Sequence, residues 1–185
     1  QKLFRINPEL IASDMHPDYL STRFAAQFAQ KMNIQNIQIQ HHHAHLAACL
    51  ADNQYNKDDP VIGLCYDGTG YGTDGHLWGG EFLITDLKDF SRYSHFDYIQ
   101  MPGGEKAVAE PWRMAFSYLF KYFGDDFDFN SLPLFRSISH DNLLLVREMI
   151  KNKINSPFTS GAGRLFDAVS ALAGLCHTAS FDSEG

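Results

Sequence analysis

The sequence predicts an α/β fold. Three observations carry that reading: apolar residues recur at helical spacing in separate stretches, short extended runs lie between them, and one apolar run passes through glycines into a second extended run as a hairpin. With 44% hydrophobic and 20% charged residues in 185, and 15 phenylalanines and eight tyrosines to fill a core, one globular domain is expected rather than a disordered chain.

The elements follow in order. "SDMHPDYLSTRFAAQFAQKM" places Pro17 where a first helical residue is tolerated, and Leu20, Phe24, Phe28 and Met32 repeat every four positions, which predicts a helix with one buried stripe. "NIQIQ", residues 36–40, alternates apolar with polar and predicts a short strand. Leu46, Cys49 and Leu50 recur at helical spacing, so the histidines of "QHHHAHLAACL" occupy the first turn of a second helix. A short buried strand over residues 61–66 then runs into the glycine turn of "YDGTGYGTDG", and "HLWGGEFLITDL" resumes extended chain. After a loop containing "MPGGEKAVAE", Pro111 opens a helix with Trp112, Phe116, Leu119 and Phe123 on one face and Gly124 as its stop. A helix over residues 142–151 follows, and "SPFTSGAGRLFDAVSALAGLC" reads as a glycine loop opening a last helix with the stripe Leu165, Val169, Leu172 and Cys176.

The net charge of −7 argues against a general affinity for nucleic acid or anionic membrane. No apolar run reaches the roughly 20 residues that span a bilayer and no secretion signal opens the chain, so the cytoplasm is the expected location. Cys49, Cys65 and Cys176 are far apart and form no CxxC, so they read as three buried thiols. The absence of an initiator methionine and of a closing element after the last helix reads as truncation at both ends.

Chemistry concentrates at two places. Four histidines fall within residues 41–45, and two residues four apart on a helix share a face, so His41 and His45 can reach one ion. Imidazole suits zinc, iron, nickel or copper; Asp67, at the end of the next strand, is the nearest candidate for a third ligand. His42 and His43 point elsewhere and are open to an orienting, substrate-facing or structural role. Cys49, one turn beyond His45, could add a soft ligand but reads better as packing. No glutamate lies between the histidines, so the zinc-protease pattern HExxH is missing.

The second place is glycine-rich. Gly68, Gly70 and Gly72, interleaved with Thr69 and Tyr71, could leave backbone N–H groups free to surround an oxyanion, although a plain hairpin turn explains them equally. The sequence fits neither the P-loop nor the Rossmann fingerprint. Gly161 and Gly163 stand at a predicted helix N-terminus, where an anion is favoured. Arg164 could clamp phosphate and Asp167 accept from ribose; three apart, they could also form an ordinary helix ion pair. Asp14 and His16 could face a substrate or cap their helix, and Arg113 and Glu110 share that ambiguity.

Taken in order, "DMHPDYLSTRFA", "QHHHAHLAACL", "YDGTGYGTDGHLWGGEF", "MPGGEKAVAEPWRMA" and "TSGAGRLFDAVSALAG" resemble the C-terminal carbamoyltransferase region of the HypF family of hydrogenase maturation proteins. The resemblance implies a fold of the actin, sugar kinase and Hsp70 type (ASKHA), incomplete here, in the branch shared with the tRNA-modifying enzyme TsaD. It implies a divalent metal (iron, zinc or magnesium) held by His41, His45 and Asp67. It also implies nucleotide binding at Gly68, Thr69, Gly70, Gly163, Arg164 and Asp167, with Asp14, His16, His42 and Arg113 as possible substrate-facing residues. Carbamoyl phosphate and ATP would supply carbamoyl adenylate, and the acceptor would be the C-terminal cysteine of the partner HypE, on the route to the cyanide ligands of [NiFe]-hydrogenase. A further metal aspartate and glycine motif would follow residue 185, and acylphosphatase-like, zinc-finger-like and adenylate-forming domains would precede residue 1. The rival readings are a non-catalytic docking module that binds metal and nucleotide, and a tRNA threonylcarbamoyl transferase, against which the acidic charge weighs.

Overall fold

The computed structural model describes residues 7–55, 57, 59–181 and 184; the first six residues of the truncation reading, and part of its last eight, lie outside them. Two sheets organise the chain. In the first, β1 (Leu10–Asp14) and β2 (Gln35–Ile39) pair in parallel, with α1 (Leu20–Met32) as the crossover that parallel pairing demands. Gln40 alone separates β2 from α2 (His41–Asp52), and its side chain caps that helix by accepting from the His43 N–H.

The second sheet contains β3 (Val61–Tyr71), β4 (Leu77–Thr85), β5 (Phe90–His95), β6 (Ile99–Gln100) and β7 (Phe158–Thr159). β3 and β4 form the expected antiparallel hairpin; β5 and β7 share the other edge of β4, and β6 pairs with β7. Helices α3 (Glu105–Ala109), α4 (Trp112–Phe123), α5 (Pro133–Arg136), α6 (His140–Lys151) and α7 (Ala162–Leu172) complete the mixed α/β architecture. The main core lies among α4, α6 and α7, where Phe116 stacks on Phe129 at 4.2 Å and Met114, Phe135 and Val146 are fully buried. Each such side chain contributes about 1.5–3 kcal/mol by leaving water.

Several expectations need correction. α1 begins at Leu20, and its stripe faces outward: Leu20 is 81% and Phe24 63% exposed, whereas Thr22, Ala25 and Ala29 are buried. Small residues let this helix lie close to the β1–β2 pair. The glycine segment after Tyr66 is not a turn; β3 continues through it with an irregularity between Tyr66 and Gly70, and the chain reverses only after Gly72. β3 is buried on one face alone, with Cys65 inside and Ile62, Leu64 and Tyr66 outside. On α7, Val169 and Leu172 are exposed while Arg164, Asp167, Ala168 and Ala171 turn inward. Phe123 ends the α4 stripe exposed, and Gly124, at φ 77°, stops the helix as expected. Of the three thiols, Cys65 and Cys176 are buried and Cys49 is exposed.

Candidate metal centre and the adjoining cleft

The parallel register places Asp14 opposite Ile39, two residues before His41. The Asp14 Oδ2 stands 2.8 Å from His41 Nδ1. A carboxylate can only accept, so Nδ1 carries the ring hydrogen and the Nε2 of neutral His41 is bare. That atom lies 3.1 Å from His45 Nε2 and 3.1 Å from Asp67 Oδ2; the latter is 3.9 Å from His45 Nε2. Bonds of about 2.0–2.2 Å to one ion put neighbouring ligand atoms roughly 3–3.5 Å apart, so the two shorter separations match a single divalent cation and the third needs only a small inward shift of His45 or Asp67. No cysteine joins the group among the described residues: Cys49 Sγ sits against Asn53 instead.

His42 and His43 form the buried root of α2. His43 Nε2 meets the Asp86 carbonyl at 3.1 Å. His42 is wholly buried, with Nε2 3.8 Å from Asp67 Oδ2, so it stands behind the carboxylate and has no exposed face for a substrate. Burial pushes His42 down to about 4 against the opposing pull of Glu81 and Asp67, and the ring is neutral near pH 7.

A cleft of about 660 Å³ opens beside Asp67, lined at this end by His16, Tyr19, Gly68, Thr69 and Arg164 and farther along by Met101, Glu105 and Val108. His16 is held there by its backbone N–H on Asp14 Oδ1 at 2.7 Å and stacks on Tyr19 with ring centres 4.2 Å apart. Tyr19, whose hydroxyl burial and the nearby Asp14 and Asp67 push up, was not singled out from sequence, because nothing in "HPDYL" distinguishes it from a packing tyrosine. Arg113 does not reach the cleft: it is 3% exposed, bonded to Glu110 and to the Pro102 carbonyl, and it braces the start of α4. Asp14 likewise acts behind His41 rather than toward a substrate.

The glycines do their work as contacts. A Cβ on Gly161 would stand 2.7 Å from the Gly68 carbonyl oxygen, one on Gly163 3.0 Å from Gly68 Cα, and one on Gly70 2.5 Å from the His42 ring. Backbone therefore packs on backbone where β3 meets the start of α7. Arg164 and Asp167 pair with each other at 2.9 Å, the helix ion pair of the two readings, while Arg164 also lines the cleft. Both border a smaller recess of about 290 Å³ with Tyr66, Gly68, Gly163 and Phe166.

Behind this crossing lies Glu81, fully buried in mid-strand. It accepts from Arg92 Nε at 2.7 Å, from the Gly79 and Gly80 N–H groups and from the Ser160 hydroxyl, joining β4 to the entrance of α7. Burial alone would raise its carboxyl; the bonds from Arg92, Ser160 and Gly79 together prevail and hold it below its ordinary value. A charge inside the apolar run "WGGEFLI" was the overlooked mark of this network. Burial, with Asp67 and Glu81 nearby, pushes the Cys65 thiol up to about 11, which rules it out as a nucleophile near neutrality.

The family described as the second subdomain of the carbamoyltransferase Kae1-like domain matches residues 63–185, and the HypF Kae1-like domain matches residues 1–52. The gap between them, residues 53–62, runs from the end of α2 to the first two residues of β3. Carbamoyltransferase HypF2 of Cupriavidus necator is 38% identical over 184 residues, all of this chain and 22% of the relative; carbamoyltransferase HypF of Rhodobacter capsulatus is 41% identical over 177, 94% and 23% respectively. The chain thus spans less than a quarter of the length of these relatives. A full-length HypF solved in a phosphate- and nucleotide-bound form superposes with TM-score 0.86 at 42% identity, over 98% of this chain and 27% of that one. The crystal structure of T. kodakarensis HypF gives 0.82 at 30% identity, over 96% and 24%. With more than half its length matched by a family whose relatives are enzymes, the chain belongs to the HypF carbamoyltransferases, in their Kae1-like region of ASKHA type.

Proposed function

We propose that this chain forms part of a site that transfers a carbamoyl group from carbamoyl adenylate, made from carbamoyl phosphate and ATP, to the C-terminal cysteine thiol of HypE. The observation that carries the reading is the meeting of two imidazole Nε2 atoms 3.1 Å apart beside Asp67 Oδ2 at the mouth of the cleft, with one Nε2 bared by Asp14. The bare His41 Nε2 can accept from a His45 Nε2–H, and with that hydrogen moved to His45 Nδ1 the two nitrogens can instead share a cation. His41, His45 and Asp67 would hold a divalent ion, which when bound supplies Lewis-acid stabilisation of phosphate and carbamoyl oxygens. His16, Tyr19, Thr69 and Arg164 line the same end of the cleft, where the two rings would pack against the adenylate and Thr69 and Arg164 would donate to its phosphate. The nucleophile is the partner's thiol, in keeping with Cys65 being buried and protonated. Three unpaired cysteines suit a cytoplasmic setting. No helix among the described residues is long and apolar enough to cross a membrane.

The test is transfer of labelled carbamoyl from carbamoyl adenylate to a HypE tail peptide, with metal content measured in the same preparations. The intact protein is expected to carry near-stoichiometric metal and to label the peptide, and the His41→Ala, His45→Ala double variant to lose both. Metal and nucleotide binding without any transfer would favour the docking module; transfer to tRNA would favour the threonylcarbamoyl reading.

A further inference from the structure

Gln40 and His42 occupy the root of α2, 2% and 0% exposed, and take no part in the ligand set above. The Gln40 side chain has its orientation fixed by two backbone partners. Its Oε1 accepts from the His43 N–H at 2.8 Å, and a backbone N–H can only donate. Its Nε2 reaches the Tyr71 carbonyl at 3.3 Å, and a carbonyl can only accept. The amide nitrogen therefore also faces His42 Nδ1, 3.0 Å away. A donor on that side leaves Nδ1 as the acceptor, so the neutral ring carries its hydrogen on Nε2. That N–H has no hydrogen-bond partner among the described residues, and neither does Asp67 Oδ2, the carboxylate oxygen 3.8 Å in front of it. A buried donor without a partner is destabilising, and a carboxylate drawn closer would satisfy it. Gly70 makes the arrangement possible, since a Cβ there would stand 2.5 Å from His42 Cε1.

We infer that Gln40 and His42 are positioning residues for the metal centre: Gln40 selects the Nε2–H tautomer of His42, and His42 holds the Asp67 carboxylate in place as a ligand. The centre is thereby braced from both sides. Asp14 accepts from His41 behind one ligand, and the His42 Nε2–H stands 3.8 Å from Asp67 Oδ2 behind another, close enough to bond it once the carboxylate is drawn in. This inference rests on the metal reading, and the experiment separates the two.

The experiment measures zinc affinity of the intact protein by chelator competition, together with the ¹⁵N–¹H correlation of the His42 ring. The ring is expected as the Nε2–H tautomer. His42→Phe, which fills the space without a donor, is expected to weaken zinc about 10–100-fold, the range for loss of a residue that orients a ligand. His42→Gln, whose amide N–H₂ can stand near the Nε2 position, is expected to restore most of that affinity, which a role in packing alone would not require. A hydrogen on Nδ1 overturns the inference without any variant, so it stays testable even where His42→Phe fails to fold. Equal affinity in a folded His42→Phe protein overturns it too. A parent protein that binds no zinc overturns the metal reading first, and the inference with it.

Discussion

Asp14 and Gly70 each act on the candidate metal centre without belonging to it, and each makes a separate prediction. Replacing Asp14 by Asn removes the charge that keeps the hydrogen of His41 on Nδ1, 2.8 Å away. The Asp14→Asn protein is expected to bind zinc about tenfold more weakly, measured by chelator competition, and an unchanged affinity would show that the backbone alone orients His41. Gly70→Ala drives a Cβ to 2.5 Å from His42 Cε1 and 2.9 Å from His41 Cδ2. The rings must shift, so a loss of about 1–3 kcal/mol in urea unfolding is expected together with weaker metal binding. The three candidate ligands were legible in the sequence: His41 and His45 share a helix face by spacing, and Asp67 follows the apolar run of the next strand, which in the structure continues past it to Tyr71. Asp14 was named only as a residue that could face substrate or cap a helix, because its role depends on the β1–β2 register, which brings it beside a histidine 27 positions away.

Element order was readable because periodicity reports which face of a segment is apolar. What covers that face is a separate fact, and it decided the outcome for α1 and α7. In α1 the large residues Leu20 and Phe24 stand outside and Ala25, 3% exposed, packs inside. Ala25→Leu is therefore expected to cost about 1–3 kcal/mol in denaturant unfolding by overfilling the contact with the β1–β2 pair. Phe24→Ser, on the face that periodicity marked as core, is expected to change stability by less than about 0.5 kcal/mol; a larger loss would mean that Phe24 is covered in solution. The glycines of β3 illustrate a second limit. Glycine is required both where a chain turns and where two backbones touch, and only the approach of Gly161 and Gly163 to Gly68 distinguishes these cases. Short strands such as β6 and β7, two residues each, carry too little pattern to be found in advance.

For the whole molecule, two buried groups set how stability depends on acidity, and they act in the same direction. His42 is lowered from 6.5 to about 4 by burial, so between those values the unfolded chain holds a proton that the folded chain does not. Its contribution is complete above 6.5 and is lost as pH falls toward 4, an interval worth up to about 3 kcal/mol. Glu81 also sits below its ordinary value: burial opposes ionisation, but the bonds from Arg92, Ser160 and Gly79 outweigh it. Its contribution is present above 4.5, the ordinary value, and disappears below it as the carboxylate takes a proton. Stability of the metal-free protein is therefore expected to be level between about pH 7 and 8, to decline from pH 7 to about pH 4.5, and to fall more steeply below that. Urea midpoints measured across this range with a chelator present provide the check. His42→Phe should flatten the upper part of the decline and leave the lower part, since Glu81 keeps its bonds from Arg92, Ser160 and Gly79. A parent protein whose midpoint stays constant from about pH 7 to 5 would show that His42 is not held neutral by burial.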